Sequence, residues 1–245
     1  MSTTALIVGG LLVLSIISGM LGLGVAFAAV PFLSLFMSDL VHEVQPLSLL
    51  LNGITAGFAA FGFARSGLIE WKRAFALAAV TTTFAPLGSW MAQVVPAQAI
   101  WVVYLSSVGF LAYRLFRPVK ERPGSENFRL ALYLAAPISV LSGLLGVGPG
   151  FLLMPTLILV GFETKRAAAI NAFAVTPPSF SALIPHLSSA HFNVGLTIAL
   201  LVAGAIGSFT GARISSRYVP DARMKQAFGV LIVVATAYKV ATILL

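Results

Sequence analysis

The residues of this chain that could do chemistry are glycines and small polar side chains set inside apolar stretches. One stretch, Ser18 to Pro31, reads SGMLGLGVAFAAVP, and a second, Ser142 to Pro155, reads SGLLGVGPGFLLMP 124 positions later. Glycines in such stretches can take positive φ and let a ligand approach the backbone. A helix that restarts after the break points unpaired amides and its positive dipole end inward, which is the chemistry of an anion site.

Two further apolar stretches carry amide and hydroxyl groups, which we expect to face these glycine breaks. Such donors can replace part of an anion's hydration shell without adding charge. Two alternatives stay open, because glycines can serve as close helix contacts and hydroxyls can bond their own helix backbone. The predicted substrate-binding residues are Gly22, Gly24, Gln45, Ser48, Asn52, Gly146, Gly148, Pro149, Asn171, Thr176 and Ser179.

The sequence carries no catalytic or metal-binding pattern. It has no cysteine and no H-E-x-x-H motif, and its seven acidic residues all fall in loops or at segment ends. We therefore predict no enzyme activity, no metal and no cofactor. His186 lies among apolar residues and fits either a proton sensor or a hydrogen-bonded structural group. Without a buried carboxylate as proton relay, the membrane potential can drive an anion outward, by about 2.3 kcal/mol per charge per 100 mV.

Composition places these residues in a lipid bilayer. Of the 245 residues, 59% are hydrophobic and 9% are charged, and the mean hydropathy is +1.00. The net charge of +8 comes from Lys and Arg beside apolar segments, so we predict no nucleic-acid partner. About 20 apolar residues suffice to cross a bilayer. The apolar segments of that length run roughly over 4–37, 44–64, 74–95, 97–116, 130–162, 167–190, 192–212 and 224–245.

The two halves of the chain correspond without a gap at the same offset. Pro31 falls on Pro155, and Asp39 falls on Glu163. A polar stretch rich in proline, glycine and charge separates the halves, as a linker does. We expect a single integral membrane domain over residues 1–245, with repeats at about 4–121 and 128–245 and a cytoplasmic linker at about 117–129.

Basic residues orient the segments, because cytoplasmic loops are enriched in Lys and Arg. The basic clusters within 65–73, 117–129 and 213–223 all lie on the cytoplasmic side only if the fifth segment enters and leaves the membrane on the same side. The first and fifth segments exceed 30 residues, about 50 Å as a straight helix against a hydrocarbon core of about 30 Å. The sequence predicts an all-α polytopic membrane protein of two inverted repeats, each with a broken, hairpin-like first segment and three spanning helices.

The doubled S-G-x-L-G-x-G-x6-P motif, the four-segment halves and the Val-Pro start of each fourth segment resemble the sulfite exporter family TauE/SafE. The resemblance spans nearly the whole chain. Members usually carry a Thr-Ser pair early in the second and sixth segments, where this chain has Leu47-Ser48 and Asn171-Ala172. The first motif copy also has Val25 and Ala26 where glycine is common.

The resemblance implies a secondary transporter in the cytoplasmic membrane. It would export a small sulfur-containing anion, either sulfite or an organosulfonate such as sulfoacetate, by alternating access between two states. A permease for another small anion and a non-transporting membrane scaffold remain alternatives. The expected partners are the anion and membrane lipid, and the sequence is compatible with a homodimer.

Overall fold

The computed structural model describes residues 3–116 and 126–220, together with residues 223, 224, 226 and 230. Residues 117–125 of the predicted linker and residues 225, 227–229 and 231–245 of the eighth apolar segment lie outside this range. The described residues form helices and no strand. The α-helices are α1 Thr3–Met20, α2 Ala26–Leu33, α3 Gln45–Ala64, α4 Trp71–Ala92, α5 Ala97–Phe116, α6 Phe128–Leu145, α7 Gly150–Leu159, α8 Thr164–Ala174, α9 Thr176–Leu183 and α10 Val194–Tyr218.

Helical stretches of membrane-spanning length dominate the described part of the chain. Large apolar side chains such as Phe75, Trp90 and Tyr133 are more than half exposed, whereas Asn52 and Asn171 are fully buried. An apolar outside around a polar centre is the arrangement expected of a protein surrounded by lipid. The prediction of an all-helical protein with several membrane-spanning helices is therefore confirmed. Among the residues that the structure describes, six stretches are long and apolar enough to cross a bilayer, namely Thr3–Met20, Leu40–Ala64, Trp71–Ala92, Phe128–Leu145, Thr164–His186 and Val194–Tyr218.

Two glycine turns interrupt the helices, and we name them loop one (residues 21–25) and loop two (residues 146–149). Gly22 and Gly24 have φ of +63° and +69°, and Gly146 and Gly148 both have +67°. Each preceding helix ends in the same way, with an amide bonded five residues back: Leu23 to the Ser18 carbonyl, and Val147 to the Ser142 carbonyl. This is the Schellman arrangement, which requires a left-handed residue that glycine supplies without strain.

Small residues let the helices before the linker pack closely on those after it. Gly19 of α1 approaches the Ser208 backbone of α10 so closely that an added Cβ would collide with it. Gly88 of α4 approaches the Val140 carbonyl of α6 in the same way. Without water to drive association, such close backbone contacts are a main source of helix–helix stability in a bilayer. The helix leading into each loop is thereby fixed against a helix from the other side of the linker.

One end of the bundle, which we name the charged end, gathers ion pairs. Arg73, near the start of α4, contacts Glu126 and lies 3.0 Å from the Glu70 carboxylate. Arg166, near the start of α8, lies 3.4 Å from Glu70 and 3.8 Å from Glu126. These contacts join the connections before α4, α6 and α8. The segments entering those three helices therefore lie on the same face.

The other end, which we name the histidine end, is joined through His42, Gln93, His186 and His191. The His186 ring nitrogen Nδ1 lies 3.0 Å from Gln93 Nε2 and 3.1 Å from the Val41 carbonyl. The His191 amide donates to the His42 carbonyl at 2.9 Å. Because α4 runs from beside Glu70 to Gln93, the two ends are separated by the full length of that helix.

Candidate functional site

The two loops meet each other inside the bundle. The α-carbon of Gly150, at the start of α7, lies so close to the Leu23 carbonyl of loop one that an added Cβ would collide with it. Gly22 lies equally close to the Ala168 carbonyl of α8. Both loops are buried throughout. Irregular backbone at membrane depth is tolerated where protein encloses it or water wets it, and here protein encloses it.

The Asn52 side chain of α3 connects loop one to α9 and lies against both loops. Its Oδ1 accepts a hydrogen bond from the Ala26 amide at 3.0 Å, and its Nδ2 donates to Ser179 Oγ at 2.8 Å. A Cβ at Gly24 would collide with Oδ1, and a Cβ at Gly148 would collide with Nδ2. The two hydrogen bonds fix which end of the amide faces each loop, with the acceptor toward loop one and the donor toward loop two.

One face of α3 provides most of the polar wall around the loops. Gln45, Ser48 and Asn52 follow each other at spacings of three or four and are all fully buried, and Thr55, one turn further on, caps loop one. Gln45 donates to the Leu144 carbonyl at 3.2 Å. Thr55 Oγ1 accepts from the Val25 amide of loop one at 3.1 Å and donates to its own helix. This face therefore contacts both helix breaks.

Asn171 connects the two loops from α8. Its Nδ2 donates to the Gly22 carbonyl at 2.7 Å and reaches the Gly150 carbonyl at 3.3 Å. Gly22 lies in loop one and Gly150 is the first residue of α7, so the amide fastens the turn of the first hairpin to the helix that follows loop two. The residue is fully buried.

Several buried oxygen atoms near the loops have no hydrogen-bond partner within the described part of the chain. A buried polar atom left unpaired costs about 1–3 kcal/mol, so a group of them at one place calls for an explanation. Hydroxyl groups can donate as well as accept, whereas the amide oxygens accept only. The set is suited to a polar ligand or to water. These atoms are the Oγ atoms of Ser18, Ser48 and Ser142, Oε1 of Gln45 and Oδ1 of Asn171.

The predicted site residues divide into a larger set at the loops and a smaller set beside them. Pro149 precedes α7, and its carbonyl accepts from the Leu152 and Leu153 amides, so it acts as the helix start. Thr176 is only half buried, and its hydroxyl donates to the carbonyl of Ala172 in the preceding helix α8 at 2.9 Å. Residues that form or contact the loops are Gly22, Gly24, Gln45, Asn52, Gly146, Gly148, Pro149, Asn171 and Ser179, and Ser48 lies on the same face of α3 as Gln45 and Asn52.

The predicted site residues leave out two that support the loops. Thr55 lies one turn beyond Asn52, and that helical spacing was a signal that could have found it. Tyr104 of α5 is fully buried and donates to the Phe27 carbonyl of α2 at 2.8 Å. The Phe27 ring stacks on Phe151 of α7 at a centroid distance of 5.2 Å, which joins the two short helices. No local pattern in the sequence predicts the contact between Tyr104 and Phe27.

Corresponding ion pairs follow the two hairpins. Asp39 and His42 pair at 2.8 Å after α2, and Glu163 and Arg166 pair at 3.8 Å after α7, each 124 positions apart. Burial acts to raise the pKa of Asp39, but hydrogen bonds from the His42 amide and ring and from the Val41 amide outweigh it. The pKa of Asp39 therefore lies below its usual value.

Comparison with known proteins agrees with this architecture. The family model described as Sulfite exporter TauE/SafE matches residues 6–239. A probable membrane transporter protein of Xylella fastidiosa (strain Temecula1) is 25% identical over 234 residues, covering 90% of this chain and 88% of the relative. The probable membrane transporter protein YdhB of Bacillus subtilis (strain 168) is 23% identical over 233 residues, covering 91% and 94%.

A probable membrane transporter protein of Methanocaldococcus jannaschii is 24% identical over 234 residues, covering 88% of this chain and 87% of the relative. No solved structure matches the chain significantly. The family match covers nearly the whole sequence, including both glycine loops and the helices that carry Asn52 and Asn171. This multi-pass membrane protein therefore belongs to the sulfite exporter TauE/SafE family.

Proposed function

We propose that this protein is a secondary transporter that exports a small sulfur-containing anion, sulfite or an organosulfonate, across the cytoplasmic membrane. The observation that carries this proposal is the meeting of two glycine loops, each opening a short helix, among buried amide and hydroxyl groups. The family description supports sulfite as the kind of substrate, and the names of the relatives support membrane transport.

The polar groups around the loops suit transient binding of an anion. Helix-start amides and the N–H groups of Asn52 supply partial positive charge at a buried place. Among the described residues, the side chains that contact the loops carry no full positive charge. Partial charges can replace hydration without trapping the ion, so the anion can enter from one side and leave to the other.

The proposal includes two inverted repeats that rock against each other. The Asn127 amide donates to the Val160 carbonyl at 2.9 Å, so the α6–α7 hairpin begins and ends at one place, beside the charged end. The first hairpin instead leads through Asp39 and His42 to the histidine end. These contacts support hairpins that enter from opposite sides, an arrangement typical of alternating-access transporters.

Orientation can be tested by labelling single cysteines in this cysteine-free chain. We place the charged end in the cytoplasm, because basic residues mark that side. In intact cells, Val94→Cys and Phe192→Cys should react with an impermeant thiol reagent, and Lys72→Cys and Arg217→Cys should react only after permeabilisation. Labelling of Arg217→Cys from outside would overturn the inverted arrangement.

Transport itself is tested in proteoliposomes that contain the purified protein. Efflux of sulfite or 2-hydroxyethanesulfonate should follow a potassium-set membrane potential at constant pH, because no carboxylate lies within the described helices near the loops. Efflux that ignored the potential and followed only a pH gradient would contradict electrical transport. If neither anion shows net flux or counterflow, the result would favour the alternative that the protein is a non-transporting membrane scaffold.

A further inference from the structure

The two helix starts differ in how their first amides are satisfied. At loop one, the Val25 amide is accepted by Thr55 Oγ1 at 3.1 Å and the Ala26 amide by Asn52 Oδ1 at 3.0 Å. The corresponding residues of loop two are Pro149, which has no N–H, and Gly150. Within the described residues, no side chain or carbonyl accepts a hydrogen bond from the Gly150 amide.

The Asn52 amide adds to this difference through its fixed direction. Its oxygen carries partial negative charge and occupies the start of α2, where an anion oxygen would otherwise bind. Its nitrogen lies on the side of Gly148 in loop two. An anion is therefore repelled by the Asn52 oxygen at loop one and attracted by the Asn52 N–H groups at loop two.

An independent observation at the start of α7 is the unpartnered oxygen of Asn171. The residue is fully buried, and its Nδ2 already donates to the Gly22 and Gly150 carbonyls. Its Oδ1, on the same small amide group beside Gly150, has no partner among the described residues. An amide oxygen cannot donate, so it repels a bare anion oxygen and requires a hydrogen-bond donor.

We propose that loop two alone holds the transported anion, and that the anion is one that also carries a hydrogen-bond donor. Its charged oxygens accept from the Gly150 amide and from the next amide of α7, that of Phe151, which also has no acceptor within the described chain. A hydroxyl or acid proton on the same molecule donates to Asn171 Oδ1. Hydroxysulfonates and the singly protonated form of sulfite have this combination of groups. This inference rests on the proposed function and specifies where and how that site binds.

The direct test compares two anions of nearly equal size on the wild-type protein. In 2-hydroxyethanesulfonate a hydroxyl replaces the terminal methyl group of propane-1-sulfonate, so the pair differs mainly in one hydrogen-bond donor. Titration calorimetry on purified protein in lipid nanodiscs should give about tenfold tighter binding of the hydroxylated anion. Equal binding, or tighter binding of propane-1-sulfonate, would overturn the proposal.

A variant pair tests which loop binds. Asn171→Asp places a carboxylate beside Gly150 at the start of α7, so binding of both sulfonates should fall about tenfold or more. Thr55→Val alters only the cap of loop one and should leave both dissociation constants within about twofold. A Thr55→Val protein that folds but loses binding by tenfold would show that loop one takes part, and would overturn the assignment to loop two.

Flux measurements separate failure of this inference from failure of the proposed function. If both sulfonates are transported by proteoliposomes but bind equally, the transporter assignment stands and the assignment of the anion to loop two falls. If neither sulfonate binds, and if the protein transports none of the three anions (the two sulfonates and sulfite), both the proposed function and the proposed binding site are wrong.

Discussion

Loop one and loop two share a backbone and differ in their side chains. Both are Schellman turns built on two glycines with φ between +63° and +69°. Thr55 and Asn52 cap loop one, but their counterparts 124 positions later, Ser179 and Thr176, donate to carbonyls of their own segment. The two breaks therefore share their turn geometry and differ in the side chains that satisfy them. In the binding site proposed above, the first break is mainly structural and the second holds the anion.

The largest effect is expected from Gly148→Val in loop two. A Cβ there would collide with Asn52 Nδ2, and valine strongly disfavours a φ of +67°. Displacing Asn52 loses about 2–3 kcal/mol of hydrogen bonding, so anion flux in proteoliposomes should fall about 100-fold.

Gly67→Val provides the matched control for Gly148→Val. Gly67 has a φ of +69° in the α3–α4 connection, and an added Cβ would meet nothing within 4 Å. The Gly67→Val protein therefore has the backbone strain without the collision, and its anion flux should stay near that of the wild-type protein. Normal transport by a folded Gly148→Val protein would show that the glycine motif serves helix packing alone.

A second effect, somewhat smaller, is expected from changing the direction of the Asn52 amide. Asn52→Asp keeps an oxygen for the Ala26 amide but places negative charge beside loop two, so anion flux should fall about tenfold or more. Asn52→Leu removes both hydrogen bonds without adding charge. The aspartate protein should transport less than the leucine protein. A leucine protein that transports less than the aspartate protein would contradict the argument from charge.

Thr55→Val should lower stability more than transport. Valine matches threonine in shape but leaves the Val25 amide without its acceptor, which should reduce the free energy of unfolding by about 1–3 kcal/mol. Thermal unfolding in detergent measures this change, and flux should stay within about threefold of wild type. Thr156→Val is the control, because Thr156 donates only to its own helix at Leu152. Equal stability of the two variants would contradict a capping role for Thr55.

The sequence was sufficient to predict the helix breaks and the buried amides. Two glycines repeated at a fixed offset in over-long apolar segments mark turns that few other residues allow, and the turns lie at residues 21–25 and 146–149. Asn52 and Asn171 stand out because a polar side chain is costly within an apolar helix unless it has a partner. The all-helical class follows from the same apolar segments.

The partners of those residues could not be predicted, because they are set by how the helices pack. Asn52 joins Ala26 to Ser179, which is 127 residues further along the chain. Tyr104 reaches Phe27 across 77 residues. Neither distance leaves a periodic signal, since periodicity records only which face of a helix is buried. The unequal capping of the two loops depends on these long-range contacts and is invisible in the repeated motif.

The smallest effect concerns the ion pairs that follow the two hairpins. Asp39 has a folded-state pKa below its usual 3.8, so its pair with His42 stabilises the protein above that value, and the contribution is lost as pH falls through the folded pKa. Both side chains are over 40% exposed, so the change in Tm between about pH 5 and pH 3 due to Asp39 should be below about 4 °C. Asp39→Asn should remove this part of the acid dependence, whereas Glu163→Gln, at the corresponding pair with Arg166, should leave it in place. If Asp39→Asn and wild type lose Tm equally on acidification, the Asp39–His42 pair does not stabilise the histidine end.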